Sequence, residues 1–182
     1  MTGEFRTLER KAIYEDDWIR VVKCRISRRG SPGSYTVIDR SDSVVIIPLS
    51  PSRKTILLKQ YRYPTNMDSW EFPMGGVDEN ETPEETARRE LLEEANIVST
   101  HLKCIGRYYA VPGLSPQKVS VFIAKIDIDE LTAAAFNPTD ADEIREIMLA
   151  DIDEINHMVV RGEITDGFTL VSLLYLRNHN GI

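Results

Sequence analysis

The sequence predicts an α+β fold, a mixed β-sheet sandwiched by helices, with an antiparallel β-rich segment in front of it. Three observations predict it. Strand-like stretches fill the first 50 residues and return at 103–126 and 143–149; a capped, one-faced helix opens at Thr82 between them; two further helical stretches close the chain. Many strands, one helix, more strands and two helices is the order expected of a mixed sheet packed by helices. At 182 residues one domain is the expectation, with a small extra lobe allowed. Residues 1–50 are assigned to the N-terminal β-rich segment and 51–182 to the main domain.

Residues 18–26 are β-branched and run into the turn-rich Arg29-Gly30-Ser31-Pro32-Gly33, and a second strand follows at 35–38. Residues 43–49 form a continuous apolar run, as a strand buried on both faces would. After a turn at 50–53 comes a strand at 55–61, and that spacing suggests a hairpin with 43–49. Thr82 is a good N-cap, Pro83 suits the first helical position and Glu85 completes a capping box. Asn96 is a plausible stop, because asparagine tolerates the left-handed conformation that ends many helices. Strands are expected at 103–109 and 118–126 around a loop at 112–116, and again at 143–149. Asp151 with Glu154 reads as a second capping box, for a helix ending near Gly162. Thr165 or Asp166 caps the last helix, which includes 169–176.

The charge balance excludes some functions. With 22 Lys+Arg against 29 Asp+Glu the net charge is −7, which argues against a protein built to neutralise nucleic-acid phosphate. A phosphate ligand would need local Arg, Lys or bound metal. Cys24 and Cys104 form neither a disulfide framework nor a zinc pair, and apolar neighbours suggest buried reduced thiols. No apolar run approaches the ~20 residues that span a bilayer, and the first residues lack an apolar signal core. A cytoplasmic enzyme or binding protein is expected, with no membrane and no nucleic-acid partner.

The chemistry concentrates between Gly75 and Ile97. At 100° per residue, Glu90, Glu93 and Glu94 share one arc, bordered by the apolar stripe of Ala87, Leu91 and Ala95. Like charges three and four residues apart repel, and a divalent cation turns that repulsion into attraction. Hard cations such as Mg²⁺ take oxygen ligands, which carboxylates and substrate phosphates supply. By itself the grouping also fits a solvated acidic face. Upstream, however, Gly75-Gly76 follows Trp70-Glu71-Phe72-Pro73-Met74 and allows close backbone approach, while Arg89 adjoins the acids and can orient them.

The run Gly75, five residues, Glu81, seven residues, Arg89-Glu90-Leu91-Leu92-Glu93-Glu94-Ala95-Asn96-Ile97 resembles the Nudix box of Nudix hydrolases. The one departure is Asn96, where the pattern has a glycine. The resemblance implies Glu90 and Glu94 as principal metal ligands and Glu93 as a further ligand or the holder of a metal-bound water. It implies Arg89 as the residue fixing the carboxylates, Met74 (by its carbonyl) with Gly75 as the backbone side of the site, and Glu81 as a loop support or a second-metal contact. Mg²⁺ is the expected cofactor, with Mn²⁺ a possible substitute.

Lys59-Gln60-Tyr61-Arg62-Tyr63-Pro64, Trp70-Glu71-Phe72-Pro73, Pro112-Gly113-Leu114-Ser115 and Arg161-Gly162-Glu163-Ile164-Thr165-Asp166 are similar to stretches of ADP-ribose pyrophosphatases. That branch implies a homodimer whose N-terminal segment helps to build the partner's pocket. Its implied activity is hydrolysis of a nucleoside diphosphate linked to another moiety, ADP-ribose first, giving AMP and ribose 5-phosphate. Alternatives are another nucleotide sugar, such as GDP-mannose or UDP-glucose, or a non-catalytic nucleotide-sensing module. Arg62 is the expected diphosphate contact, Glu71 a substrate-orienting residue, and Gly113 and Gln117 further substrate contacts. Gln117 stands where related enzymes often have a glutamate base, and an amide takes no proton at neutral pH. Glu143, Glu146 and Glu93 are substitute bases, with no choice among them. Trp18, Tyr61 and Tyr109 fit either base stacking or packing. His101, His157 and His179 form no ligand spacing.

Overall fold

The computed structural model describes residues 5–99, 101–127 and 144–179. These divide into two compact units, one comprising residues up to Asp42 with Tyr108–Lys118, the other Ser43–Arg107 with residues from Val119 onward.

The first unit is an antiparallel meander of β1 (Phe5–Glu15), β2 (Arg20–Arg28) and β3 (Ser31–Asp39). Its β2–β3 turn is tighter than the sequence suggests. Only Arg29 (φ 49°) and Gly30 (φ 86°) lie outside the strands, a two-residue loop with both residues left-handed, as hairpin twist favours. Pro32 therefore sits inside β3, where an edge strand tolerates its missing N–H. Val22, Cys24 and Ile26 alternate onto one buried face. The 110–117 loop, with the strand residues at its two ends, belongs to this unit: Ile38 N–H donates to the Leu114 carbonyl at 2.9 Å and Lys118 N–H to Asp42 Oδ1 at 2.8 Å.

The second unit is a mixed α+β assembly of two sheets and three helices among the described residues. β4 (Ser43–Leu49), β7 (Met74–Gly76), β8 (Leu102–Tyr109) and β9 (Lys118–Lys125) make one sheet in the order β7-β4-β9-β8, with β4 and β9 parallel. β5 (Lys54–Arg62), β6 (Met67–Glu71) and β10 (Ile144–Asp151) make the other, antiparallel in the order β10-β5-β6. The run at 43–49 is buried along its whole length, as its sequence requires. The expected β4–β5 hairpin is absent: both edges of β4 are taken by β7 and β9, and β5 forms its hairpin forward, with β6. The turn at 50–53 therefore passes the chain between sheets.

Helix α1 (Pro83–Ala95) packs Ala87, Leu91 and Ala95 into one core with Val44 and Ile46 of β4, Ile56 and Leu58 of β5, and Phe122 and Ala124 of β9. Its capping box forms as the sequence implies, with Thr82 Oγ1 accepting from Glu85 N–H and the Glu85 carboxylate accepting from Thr82 N–H. Asn96 ends it at φ 51°, ψ 36°, the glycine-like conformation foreseen for this position.

Helix α2 (Ile152–Arg161) starts at Asp151, yet Asp151 makes no side-chain cap bond. The second capping box does not form because Glu154 pairs with Arg161 at 2.8 Å. Helix α3 (Gly167–Asn178) is capped by Asp166, whose carboxylate accepts from Thr169 N–H at 2.7 Å. Tyr175 of α3 lies so close over Gly106 that a Cβ there would fall 2.2 Å from its ring. Cys24 is buried as expected, but Cys104 is exposed on β8, where Lys103 beside it is exposed as well. No helix among the described residues is long and apolar enough to cross a membrane.

Candidate active site

The site is built on α1, on β7 and on the C-terminal half of β5. On one face of β5, Leu58 meets the core stripe of α1. The strand's period of two places Gln60 and Arg62 on that same face, and the cross-strand partner of Leu58 is Glu71. The apolar stripe of α1 thus gives way to its acidic border where β5 turns polar.

Arg89 is the hub. Its Nε and Nη2 each donate to Glu81 at 2.9 Å, Nη1 donates to Glu90 at 2.7 Å and to Glu93 at 3.0 Å, and Nη2 also reaches the Gly76 carbonyl at 3.2 Å. Arg89 and the Thr86 hydroxyl together hold the Glu81 carboxyl down at about 2. Glu90 is buried, and this desolvation raises its pKa against the pull of Arg89. Its carboxylate lies directly on the Gly75 backbone, where an added Cβ would sit 1.9 Å from Oε1. Gly75 is therefore a steric requirement of the Glu90 position. Gly75→Ala is expected to displace the Glu90 carboxylate and lower turnover at least about tenfold with a far smaller effect on folding; steady-state kinetics beside thermal unfolding check this.

Glu94 stands apart. Its Oε2 accepts from Met74 N–H at 2.8 Å and its Oε1 from the Gln60 amide at 2.9 Å. Burial pushes its carboxyl up to about 8, against those two donors. The Met74 group facing Glu94 is thus the N–H. The helix does set the three acids on one arc, but hydrogen bonding divides them, two to Arg89 and one to neutral donors. Accordingly no three acidic, histidine or cysteine side chains among the described residues form a ready-made metal cage. The donor set nonetheless fits a hard divalent cation. Carboxylate oxygens predominate, Glu94 has no hydrogen-bonded cation among the described residues, and the last turn of α1 carries acids and no base, opposite to what the helix dipole favours.

Arg62 donates through Nε and Nη2 to Glu71, with Nε–Oε1 at 3.0 Å. Glu71 is 2% exposed and Arg62 more than a third, and this pairing raises the Arg62 pKa. The two expected substrate residues of this unit therefore bind each other, leaving Nη1 of Arg62 without a hydrogen bond to the described residues. The other two belong to the first unit. Gly113 accepts from the Tyr35 hydroxyl at 3.3 Å, and Gln117 is buried with its amide donating to the Ser41 carbonyl at 2.9 Å. Glu143 lies outside the described residues. Glu146 is exposed on β10, 3.4 Å from Lys59. Trp18 and Tyr109 are exposed, and Tyr61 lies under Arg145. Gln60 had no role assigned from sequence; its alternation with Leu58 and Arg62 was the available signal.

Comparison with known proteins gives the family. A NUDIX domain matches residues 39–167. The ADP-ribose pyrophosphatase of Bacillus subtilis (strain 168) is 29% identical over 149 residues, covering 81% of this chain and 78% of that protein. The GDP-mannose pyrophosphatase of Salmonella paratyphi B is 29% identical over 182 residues, covering 94% of each chain. The methanol dehydrogenase activator of Bacillus methanolicus is 25% identical over 178 residues, covering 96% of this chain and 93% of that protein. With its box on α1 and a family match over most of its length, the chain belongs to the Nudix family and is a Nudix pyrophosphohydrolase, similar to the family's ADP-ribose pyrophosphatases.

Proposed function

We propose that the protein hydrolyses the pyrophosphate bond of a nucleoside diphosphate linked to another moiety, with ADP-ribose the leading substrate and AMP and ribose 5-phosphate the products. Nudix hydrolases generally use divalent cations; Mg²⁺ is the cation proposed here, with Mn²⁺ as substitute. The observation that carries the reading is the Glu90 carboxylate seated on Gly75, next to Glu93 and Glu94 at an acidic helix end. Glu90, Glu93, Glu94 and the Gly75 backbone would hold the cation, with Met74 beside them. When bound, a divalent cation neutralises phosphate oxygens and makes water a stronger nucleophile.

The chain's own residues do the rest. Arg89 keeps Glu90 and Glu93 oriented and screens their mutual repulsion. Arg62, held in orientation by Glu71, offers its open Nη1 edge to the diphosphate, because a guanidinium matches phosphate oxygens. Glu93, with 46% of its side chain exposed against 11% for Glu90, is the acid proposed to meet solvent water. Gly113 and Gln117 are kept as substrate-side residues of the 110–117 loop, and Glu143 as a substitute base.

A second nucleotide sugar is the competing reading, favoured by the match along 94% of each chain to a GDP-mannose pyrophosphatase. A panel of ADP-ribose, GDP-mannose, UDP-glucose and dinucleoside polyphosphates, with products resolved by chromatography, tests both. ADP-ribose turned over fastest supports the first reading, and preference for GDP-mannose replaces it.

The dimer belongs to the same proposal. Phe5, Leu8, Ile13 and Tyr14 of edge strand β1 are each at least half exposed, and an apolar edge strand of this length is one that proteins normally cover. A second copy is the proposed cover. Analytical ultracentrifugation is expected to give twice the chain mass, and charged substitutions at Leu8 and Ile13 to halve it.

A further inference from the structure

Gln60 is a buried polar side chain, 2% exposed, on a strand whose preceding same-face residue, Leu58, is fully apolar and packed in the core. Such a position normally takes another aliphatic, since burying an amide costs free energy unless it is hydrogen-bonded. The bond Gln60 makes is to Glu94 Oε1, 34 residues away in sequence. The two elements bring them together by their own periods. Two residues along β5, from Leu58 to Gln60, and three along α1, from Leu91 to Glu94, are advances of about 7 and 4.5 Å.

The chemistry of the contact is specific. Glu90 and Glu93 are each tied to a guanidinium, whereas Glu94 is hydrogen-bonded by two neutral donors, Gln60 and the Met74 N–H, one on each oxygen. A carboxylate oxygen has room for more than one partner. Each Glu94 oxygen is thereby fixed in place and still able to meet a cation. An arginine or lysine at position 60 would neutralise Glu94 and compete with a metal. A second carboxylate would repel it, and an aliphatic would leave Oε1 unpaired.

From this geometry we infer that Gln60 is a positioning residue for metal binding: a neutral donor that fixes the Glu94 carboxylate plane without discharging it. The inference rests on the proposed cation site. Partners of metal-ligating side chains are worth about 10–100-fold in metal affinity or activity, and Gln60 falls in that class.

The test is Mn²⁺ binding to the substrate-free protein by isothermal titration, with kinetics and thermal unfolding alongside. Gln60→Met keeps the length and removes the donor. Gln60→Asn keeps the amide but shortens its reach. Leu58→Val perturbs the same face of the same strand without touching Glu94. Mn²⁺ affinity about 10–100-fold weaker in Q60M and Q60N but near parental in L58V, with kcat falling and KM nearly constant, is the expected result. Parental Mn²⁺ affinity in folded Q60M and Q60N overturns the role of Gln60 and leaves the proposed cation site standing. A loss in L58V as large as in the Gln60 variants overturns it as well, by showing a general strand effect. No Mn²⁺ binding to the parent overturns both readings at once.

Discussion

Glu94→Gln is expected to lower metal-dependent turnover by about 10²–10⁴-fold, roughly 3–5 kcal/mol of transition-state stabilisation, while leaving the fold intact. The side chain keeps its length, so Met74 N–H can still donate to the new amide oxygen and Gln60 can turn its own amide to accept. The sign of the stability effect separates this variant from ordinary damage. Burial raises the Glu94 carboxyl to about 8 in the metal-free protein, above its ordinary value of 4.5. A group raised in the native state contributes stability that is complete below the unfolded pKa and is lost as pH climbs through the native one. Metal-free parent protein should therefore lose stability between about pH 5 and 8 through this group. Glu94→Gln, which has no proton to lose, should lack that part of the slope and unfold no earlier than the parent at pH 8.5. Thermal unfolding in chelator at several pH values, with steady-state kinetics in Mg²⁺, measures both halves. Parental activity in the variant would remove the basis for the site assignment.

Arg62→Ala is expected to cost about 2–4 kcal/mol of stability, because Arg62 is the only hydrogen-bond partner of the Glu71 carboxylate among the described residues and Glu71 is 2% exposed. Breaking a fully buried pair costs roughly 3–5 kcal/mol; Arg62 itself is more than a third exposed, which lowers the figure. For a chain of this length the shift in Tm is about 5–15 °C. The pair also allows the structural and binding roles to be separated. Arg62→Ala combined with Glu71→Gln removes the stranded charge and should recover much of the stability, while KM for the diphosphate substrate stays raised because the guanidinium is gone. Recovery of KM along with Tm would show that Arg62 acts only through Glu71.

The helix that carries the box was legible almost residue by residue. Thr82, Pro83 and Glu85 announce its start, Asn96 its end, and the spacing of Glu90, Glu93 and Glu94 its acidic border. The fully apolar run at 43–49 gave away a strand buried on both faces. The hairpin expected from its distance to 55–61 failed, because a short turn also serves to pass between sheets and nothing local distinguishes the two uses. The cap expected at Asp151 failed for a related reason: Glu154 found Arg161, seven residues on, a choice made by side-chain reach and not by the capping pattern.

What the sequence by itself determined was the family, the α+β class and the set of acids on α1, since helix period, caps and box spacing are all local and repeat every few residues. What only the tertiary structure decided was how those acids are partnered. Glu90 rests on Gly75, Glu94 is held by Gln60 and Met74, and Glu71 is locked to Arg62. Each of these contacts depends on strand register and on the packing of α1 against β5 and β7, and side chains far apart in sequence meet only once burial of the shared core has fixed that packing.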